Sequence, residues 1–503
     1  MRLRERAARW TVVGGTVLLS ACGSGQTAGD GDQEETEAEV DAERFEAISD
    51  DAPAADAPDA EFRAEVEPED AGADAEDGED APAPGTWVAT FGDTLRDEPG
   101  AIVAAPGGGG TVAGIVYAHG AGYVLALLEF DRTGAIVRTR YLRAEGAVDI
   151  QGLAATADGG LVIAGRVHVS DDIGYDAWIV RLDAAREIRW QRRIGGVLHD
   201  RATSAVELPD GSLIVVGNTG SFGSGYNDVW VQHWSADGDL LRQWVAGGAG
   251  YDEANAIVRT TSGRVIVVGE TASFGSGSSD VWLLGLDAGA DLVWQKAIGR
   301  RDADVGRAAT RAAGGGVYVA ASTLSLGVGF VDVLLLKVDD SGNILWQRTL
   351  GGRQSEAPGA VMEAADGSVV MAGRTSSFGA GADDAWMAAW SPTGEVLWQR
   401  ALGSAGSETG FALAASDDGH ILFAGTSNLL GEGATDWLLA RLSADGRVAA
   451  CDRLADTAAV SIVADAVAIE TAATPTDVTA TVVEGGGEAW IYEDDAVFVC
   501  PDG

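Results

Sequence analysis

The chain has 503 residues, a formal charge of −43, seventy glycines and 15 tryptophans. That length is too great for one ordinary core, so it requires several domains or a repeat array. The acidity repels phosphate backbones and excludes a nucleic-acid-binding role.

In chain order, the first element is a leader. Arg2, Arg4, Arg6 and Arg9 form a basic start, and an apolar run follows from Trp10 to Leu19. The run is too short to span a bilayer and matches the apolar region of a signal peptide. Leu19-Ser20-Ala21-Cys22 closes it and resembles a bacterial lipobox, which implies lipidation of Cys22. Residues 1–22 are therefore expected to be a lipoprotein signal. Gly23 rather than Asp follows the cysteine, which favours the outer membrane, at its periplasmic face or the cell surface. Residues 23–86 are rich in Ala, Asp, Glu, Pro and Gly. Between Gln26 and Thr86 stand 23 acids and two arginines, so about half of the net charge sits there. Such a segment buries too little to offset chain entropy, and an extended, disordered tether is expected.

From residue 87 the chain repeats. Trp190-Gln191, Trp294-Gln295, Trp346-Gln347 and Trp398-Gln399 share one setting. Asp176, Asp228, Asp280, Asp332, Asp384 and Asp436 recur every 52 residues, each ahead of an apolar run. The first unit is degenerate, with Val124 at the Asp position and Arg138 at the Trp position. Each unit reads as four short strands joined by Gly-rich turns, without helical periodicity. This predicts an all-β chain, a β-propeller of four-stranded blades over residues 87–455. A solenoid would leave two sheet ends in need of caps, which a ring does not. Trp87-Val88-Ala89-Thr90-Phe91 matches the fourth strand of a unit and is expected to latch the ring. Seven blades are favoured. The alternative is eight, built from that strand and the C-terminal segments.

Residues 456–503 lack the repeat pattern and alternate polar with apolar residues. They are expected to form a β extension. Cys451 and Cys500 flank it, and in an exported chain such a pair favours a disulfide over two free thiols.

The unit Gly247-Gly248, Asp252, Ala254, Gly269, Thr271, Ser273-Phe274-Gly275, Gly277, Asp280, Trp282, Leu286-Asp287, Trp294-Gln295 resembles bacterial β-propeller repeats of secreted proteins and lipoproteins. The resemblance covers residues 87–455 and implies a propeller in the cell envelope. It implies no activity.

Two acidic series are the candidate sites. The loop aspartates Asp176, Asp228, Asp280, Asp332, Asp384 and Asp436 are expected to accept hydrogen bonds from loop N–H groups. Calcium is the competing reading, but no run of alternating acids supplies six to eight oxygens. The junction series is Asp97, Asp149, Asp200, Asp252, Asp304, Glu356 and Glu408. It would gather at one mouth of the central channel if the first strand is innermost, forming a carboxylate ring for a cation or basic peptide. The reading favoured over that ring is blade-to-blade hydrogen bonding with neighbouring backbone or arginine, Arg201 and Arg307 among the candidate partners. The tryptophans read as interblade core rather than sugar platforms. The five histidines share no metal spacing.

No catalytic residue, cofactor or resident metal is therefore assigned. A monomeric ring is expected, tied to the membrane by lipid, that binds a protein or glycan without turnover. The alternative is a propeller enzyme acting on an envelope polymer, as a glycosidase, lyase or quinoprotein-like catalyst. Near-identical units argue against it, because catalysis needs one blade to depart from the rest.

Overall fold

A computed structural model describes the chain from residue 85 onward, apart from short gaps of which the longest spans 471–475. The signal, Cys22 and residues 23–84 lie outside the described residues. Every element described is a strand, and the strands form seven sheets. The chain is a seven-bladed β-propeller.

Each of the first six blades takes its four strands from one unit in simple up-and-down order. Asp252–Arg259, Val265–Thr271, Asp280–Leu286 and Leu292–Gly299 form one such sheet. Their alternation puts Val265, Val267, Trp282 and Leu284 against one neighbouring blade, and Ile266, Val268, Val281 and Leu283 against the other. Both faces of each blade are thus buried, as packing in a ring demands.

Trp-Gln is an interblade and intrablade connector. The indole of Trp190 donates to Ala236 O at 3.0 Å, Trp294 to Asp340 O at 3.0 Å and Trp346 to Pro392 O at 3.0 Å. Each acceptor lies in the third-to-fourth-strand turn of the next blade. Gln191 accepts from the third-strand indole of its own blade, Trp178, at 3.2 Å, whereas in the sixth blade the Trp386 indole donates to Thr457 of the C-terminal segment at 3.1 Å. Those turns need a left-handed residue, usually glycine; Arg186 and Ala290 adopt it too, at φ 66° and 62°.

Two ends of the chain close the ring. Trp87–Phe91 is the fourth strand of the last blade, paired antiparallel with Asp436–Leu442. Trp87 then makes the same interblade bond as its counterparts, to Arg132 O of the first blade at 3.2 Å. The stretch near Arg447 does not displace it.

The C-terminal segment runs once around the outside. Leu454–Asp456 adds a fifth strand to the sixth blade, Val460–Val463 to the fifth and Val467–Glu470 to the fourth. Thr476–Asp477, Thr481–Glu484 and Gly487–Tyr492 follow on the third, second and first. Val497–Cys500 finishes beside Trp87–Phe91 on the seventh. No eighth blade forms, because these strands are distributed over seven sheets rather than stacked in one. Gln399 anchors the start of this belt, its Oε1 accepting from Ala459 N at 2.8 Å.

Candidate functional site at the mouth of the central channel

The first strand of each unit is innermost. It leaves the blade-to-blade junction at one face and runs to the first turn at the other. The junctions and the second-to-third-strand loops therefore share one face, here called the junction face.

Both acidic series lie at that face, but inside the blade junctions. Asp200, Asp252, Asp304, Glu356 and Glu408 are at most 1 % exposed. Asp252 accepts from Ser273 Oγ at 2.6 Å and Gly248 N at 2.8 Å, and also from Thr271 Oγ1. Asp200 repeats the set with Ser221, Gly196 and Thr219. These carboxylates fasten the Thr-x-Ser loop to the junction. They do not form an open ring at the mouth, because loop donors occupy them. Burial raises the Asp200 pKa.

Asp149 is not a member of the series. Val148 holds the buried position, pairing with Val167 as Asp200 pairs with Thr219. Asp149 stands one residue later and pairs with Arg166 at 2.8 Å. Arg201 likewise bridges to Glu253 at 2.8 Å rather than to Asp200.

The loop aspartates accept backbone donors: Asp280 Oδ2 takes Ser276 N and Gly277 N, both at 2.9 Å. Asp228 and Asp332 do the same, as the sequence suggests. The other carboxylate oxygen faces the acid of the next junction across a glycine. A methyl at Gly299 would overlap Asp280 Oδ1 and lie 2.7 Å from Asp304 Oδ2. Asp280 Oδ1, Asp304 Oδ1 and Asp332 Oδ1 are buried without a hydrogen-bond partner. Burial, then the neighbouring acid, raises the pKa of Asp228, Asp280 and Asp332. Asp176 is raised by burial, against the lowering effect of Arg193. Asp384 and Asp436 occupy the same position in the sixth and seventh blades, each 1 % exposed. Among the described residues no three His, Cys, Asp or Glu side chains gather to hold a metal ion.

The channel itself is lined by residues that neither series contains. Every first strand carries a bulge near its start, where the register skips one residue. A bulge re-aims a side chain out of the ladder. The bulged residues are Gly100, Gln151, Thr203, Asn255, Arg307, Gly359 and Phe411, and all seven line one cavity of about 320 Å³. Six residue types occur at these seven equivalent positions, whereas the buried acids and loop aspartates of the blades largely repeat. Setting the seven units in register places these residues at one equivalent position, a signal that residue type alone does not give.

The cavity wall is polar and charge-matched. Glu98 pairs with Arg96, and Asp149 with Arg166. Asn255 Nδ2 donates to Gly306 O at 2.8 Å, and Thr203 Oγ1 to Ala254 O at 2.8 Å, stitching adjacent first strands together. Arg307 and Phe411 are exposed in the channel. Burial raises the pKa of Glu270, which the charge of Arg307 partly offsets.

No family model matches the chain, and no curated protein matches it. Solved structures similar to it include Sqt1 from Chaetomium thermophilum, at 11 % identity and TM-score 0.40, covering 71 % of this chain and 99 % of that one. Puromycin hydrolase matches at 15 % identity and TM-score 0.42, over 69 % of this chain and 53 % of that chain. A glucose dehydrogenase matches at 12 % identity and TM-score 0.34, over 59 % and 98 %. Likenesses this remote carry no inference about activity.

Proposed function

We propose that the chain is an exported lipoprotein whose propeller binds a protein or glycan partner at the junction face without turning it over. The observation that carries this is the bulge position. Seven near-equivalent blades present a varied set of side chains at one place, the channel mouth. Binding needs such asymmetry, and the set lacks a paired general acid and base of the kind that catalysis requires. The lipobox at Cys22 and the acidic segment before the ring support an envelope location, with the tether holding the ring off the membrane. A Cys451–Cys500 disulfide would lock the belt. It is supported by the hydrogen bond from Ala449 N to Thr86 Oγ1 at 3.0 Å and by the pairing of Val88 with Cys500. Both cysteines thus lie near the same short strand.

The test is crosslinking of full-length lipidated protein in native envelopes, with captured material read by mass spectrometry. A discrete partner, lost from a Gln151→Ala/Arg307→Ala variant, is expected. Turnover of an envelope polymer by the wild-type ring, abolished by that variant, would overturn the binding-only reading. A Cys22→Ser variant that still partitions with membranes would overturn the anchor.

A further inference from the structure

Beyond the channel, the junction face carries exposed aromatic rings. Tyr226, in a second-to-third-strand loop, is 70 % exposed, and Tyr251, at the next junction, is 52 % exposed. Their rings stack, with centroids 5.0 Å apart and planes 11° apart. Beside them Asn227 forms a parallel bridge to Tyr251, and its amide donates to Glu253 Oε1 at 2.9 Å. Glu253 and Asn255 continue the same first strand into the channel. At 3.3 Å per residue, Tyr251 stands roughly 13 Å from Asn255 along the strand. A stacked aromatic platform, a line of amide and carboxylate groups and a polar cavity are therefore continuous.

We propose that this track binds an uncharged glycan chain, one sugar seated in the channel mouth and its neighbours laid across Tyr226 and Tyr251. This rests on the binding function proposed above and names its ligand class. Charge makes the choice. Among the described residues the mouth acids Glu98, Asp149 and Glu253 are matched by Arg96, Arg166 and Arg201, which disfavours a basic peptide there. About half of the net charge of −43 lies on the ring itself, which repels polyanions. What remains suited to the wall is a neutral ligand with many hydroxyls: amides and carboxylates accept and donate to them, and Phe411 and the tyrosines cover the apolar ring faces. A cavity of about 320 Å³ takes a small ligand group and excludes a folded protein element.

The test titrates the full-length protein with three soluble probes: an uncharged β-linked gluco-oligosaccharide, its N-acetylated counterpart and an oligouronate. Isothermal titration calorimetry and saturation-transfer NMR read the binding. At least one neutral probe should bind with Kd at or below about 1 mM, and the uronate should not. Tyr251→Ala and Asn255→Ala should each weaken it about tenfold or more, while Leu345→Ala, at the outer end of a fourth strand, should not. Equal melting midpoints exclude misfolding as the cause. Uronate binding as tight as neutral binding overturns the charge argument and the proposal. If no probe binds but Tyr251→Ala loses a protein captured from envelopes, the glycan falls and the binding function stands. If neither probe nor partner is found, both fall.

Discussion

Replacing Asp280 with asparagine tests whether the junction acids oppose each other. In the native ring Asp280 Oδ2 satisfies two loop amides, while Oδ1 has no donor and faces Asp304 across Gly299. Asparagine keeps an acceptor for the amides and turns an NH₂ toward the neighbouring carboxylate. A hydrogen bond to a charged group contributes about 1.5–3 kcal/mol, and part of that is offset by weaker neutral bonds from the two amides. The net expectation is about 1 kcal/mol of added stability near neutral pH. Asp228 and Asp332 sit in separate blades, each facing the next junction acid across a glycine, so the three changes should add, to about 3 kcal/mol. With an unfolding entropy of about 2 cal/mol/K per residue, that is roughly a 3 °C rise in Tm for a ring of this size. Calorimetry at two pH values gives the discriminating readout. The folded pKa of each aspartate is raised, so the native state binds the proton before the unfolded chain does. The wild-type ring therefore gains stability as pH falls through these folded values toward the unfolded ones, and the advantage of the triple variant shrinks over that window. Asp280→Ala, which abandons both amides, should cost about 2–4 kcal/mol. If Asp280→Asn destabilises as much as Asp280→Ala at neutral pH, the paired acids are not in conflict and the reasoning fails.

Three further outcomes are expected. Trp87→Ala removes a side chain 1 % exposed, its bond to Arg132 O and its edge contact with Phe130 at 5.4 Å; about 3–5 kcal/mol should be lost in denaturant unfolding, since the ring loses its latch. Gly299→Ala places a methyl against two carboxylates and should cost about 3 kcal/mol, whereas Gly314→Ala, with nothing within 4 Å, should be neutral or slightly stabilising by the same assay. Asp158 should contribute to the acid-unfolding midpoint: its pKa is lowered to about 2, chiefly by the Thr156 hydroxyl, so its contribution is present above the unfolded value and is lost as pH falls toward 2. Arg181→Met should raise that midpoint, read by circular dichroism, because the guanidinium bonds Asp158 at 2.9 Å.

Blade number and latch were legible because each rests on bulky, spaced residues. The aspartates repeat in phase, and Trp87 carries the signature of a fourth strand. The channel was legible only in part. Reading acids by type alone chose Asp149, since the second unit has valine at the buried position and an acid one residue on. Burial, not residue type, defines that series. The bulge residues escaped because they have no common chemistry: Gly100, Thr203 and Phe411 share a place in the ladder and nothing else. The belt escaped for a different reason. Its strands are two to six residues long, and short alternating runs such as Thr481–Glu484 fix no partner until seven outer edges exist to receive them.

The belt also decides how a load is carried. Trp87–Phe91 lies between Asp436–Leu442 on one side and Val497–Cys500 on the other. A pull on the chain ahead of Gly85 is therefore directed along a strand bonded on both flanks, so several ladder bonds must slide together rather than open one at a time. The first and last described strands share a single sheet, and strain entering at the first is passed to the last. From there it spreads backward through a fifth strand on every blade, as tension in a hoop is shared by all its staves.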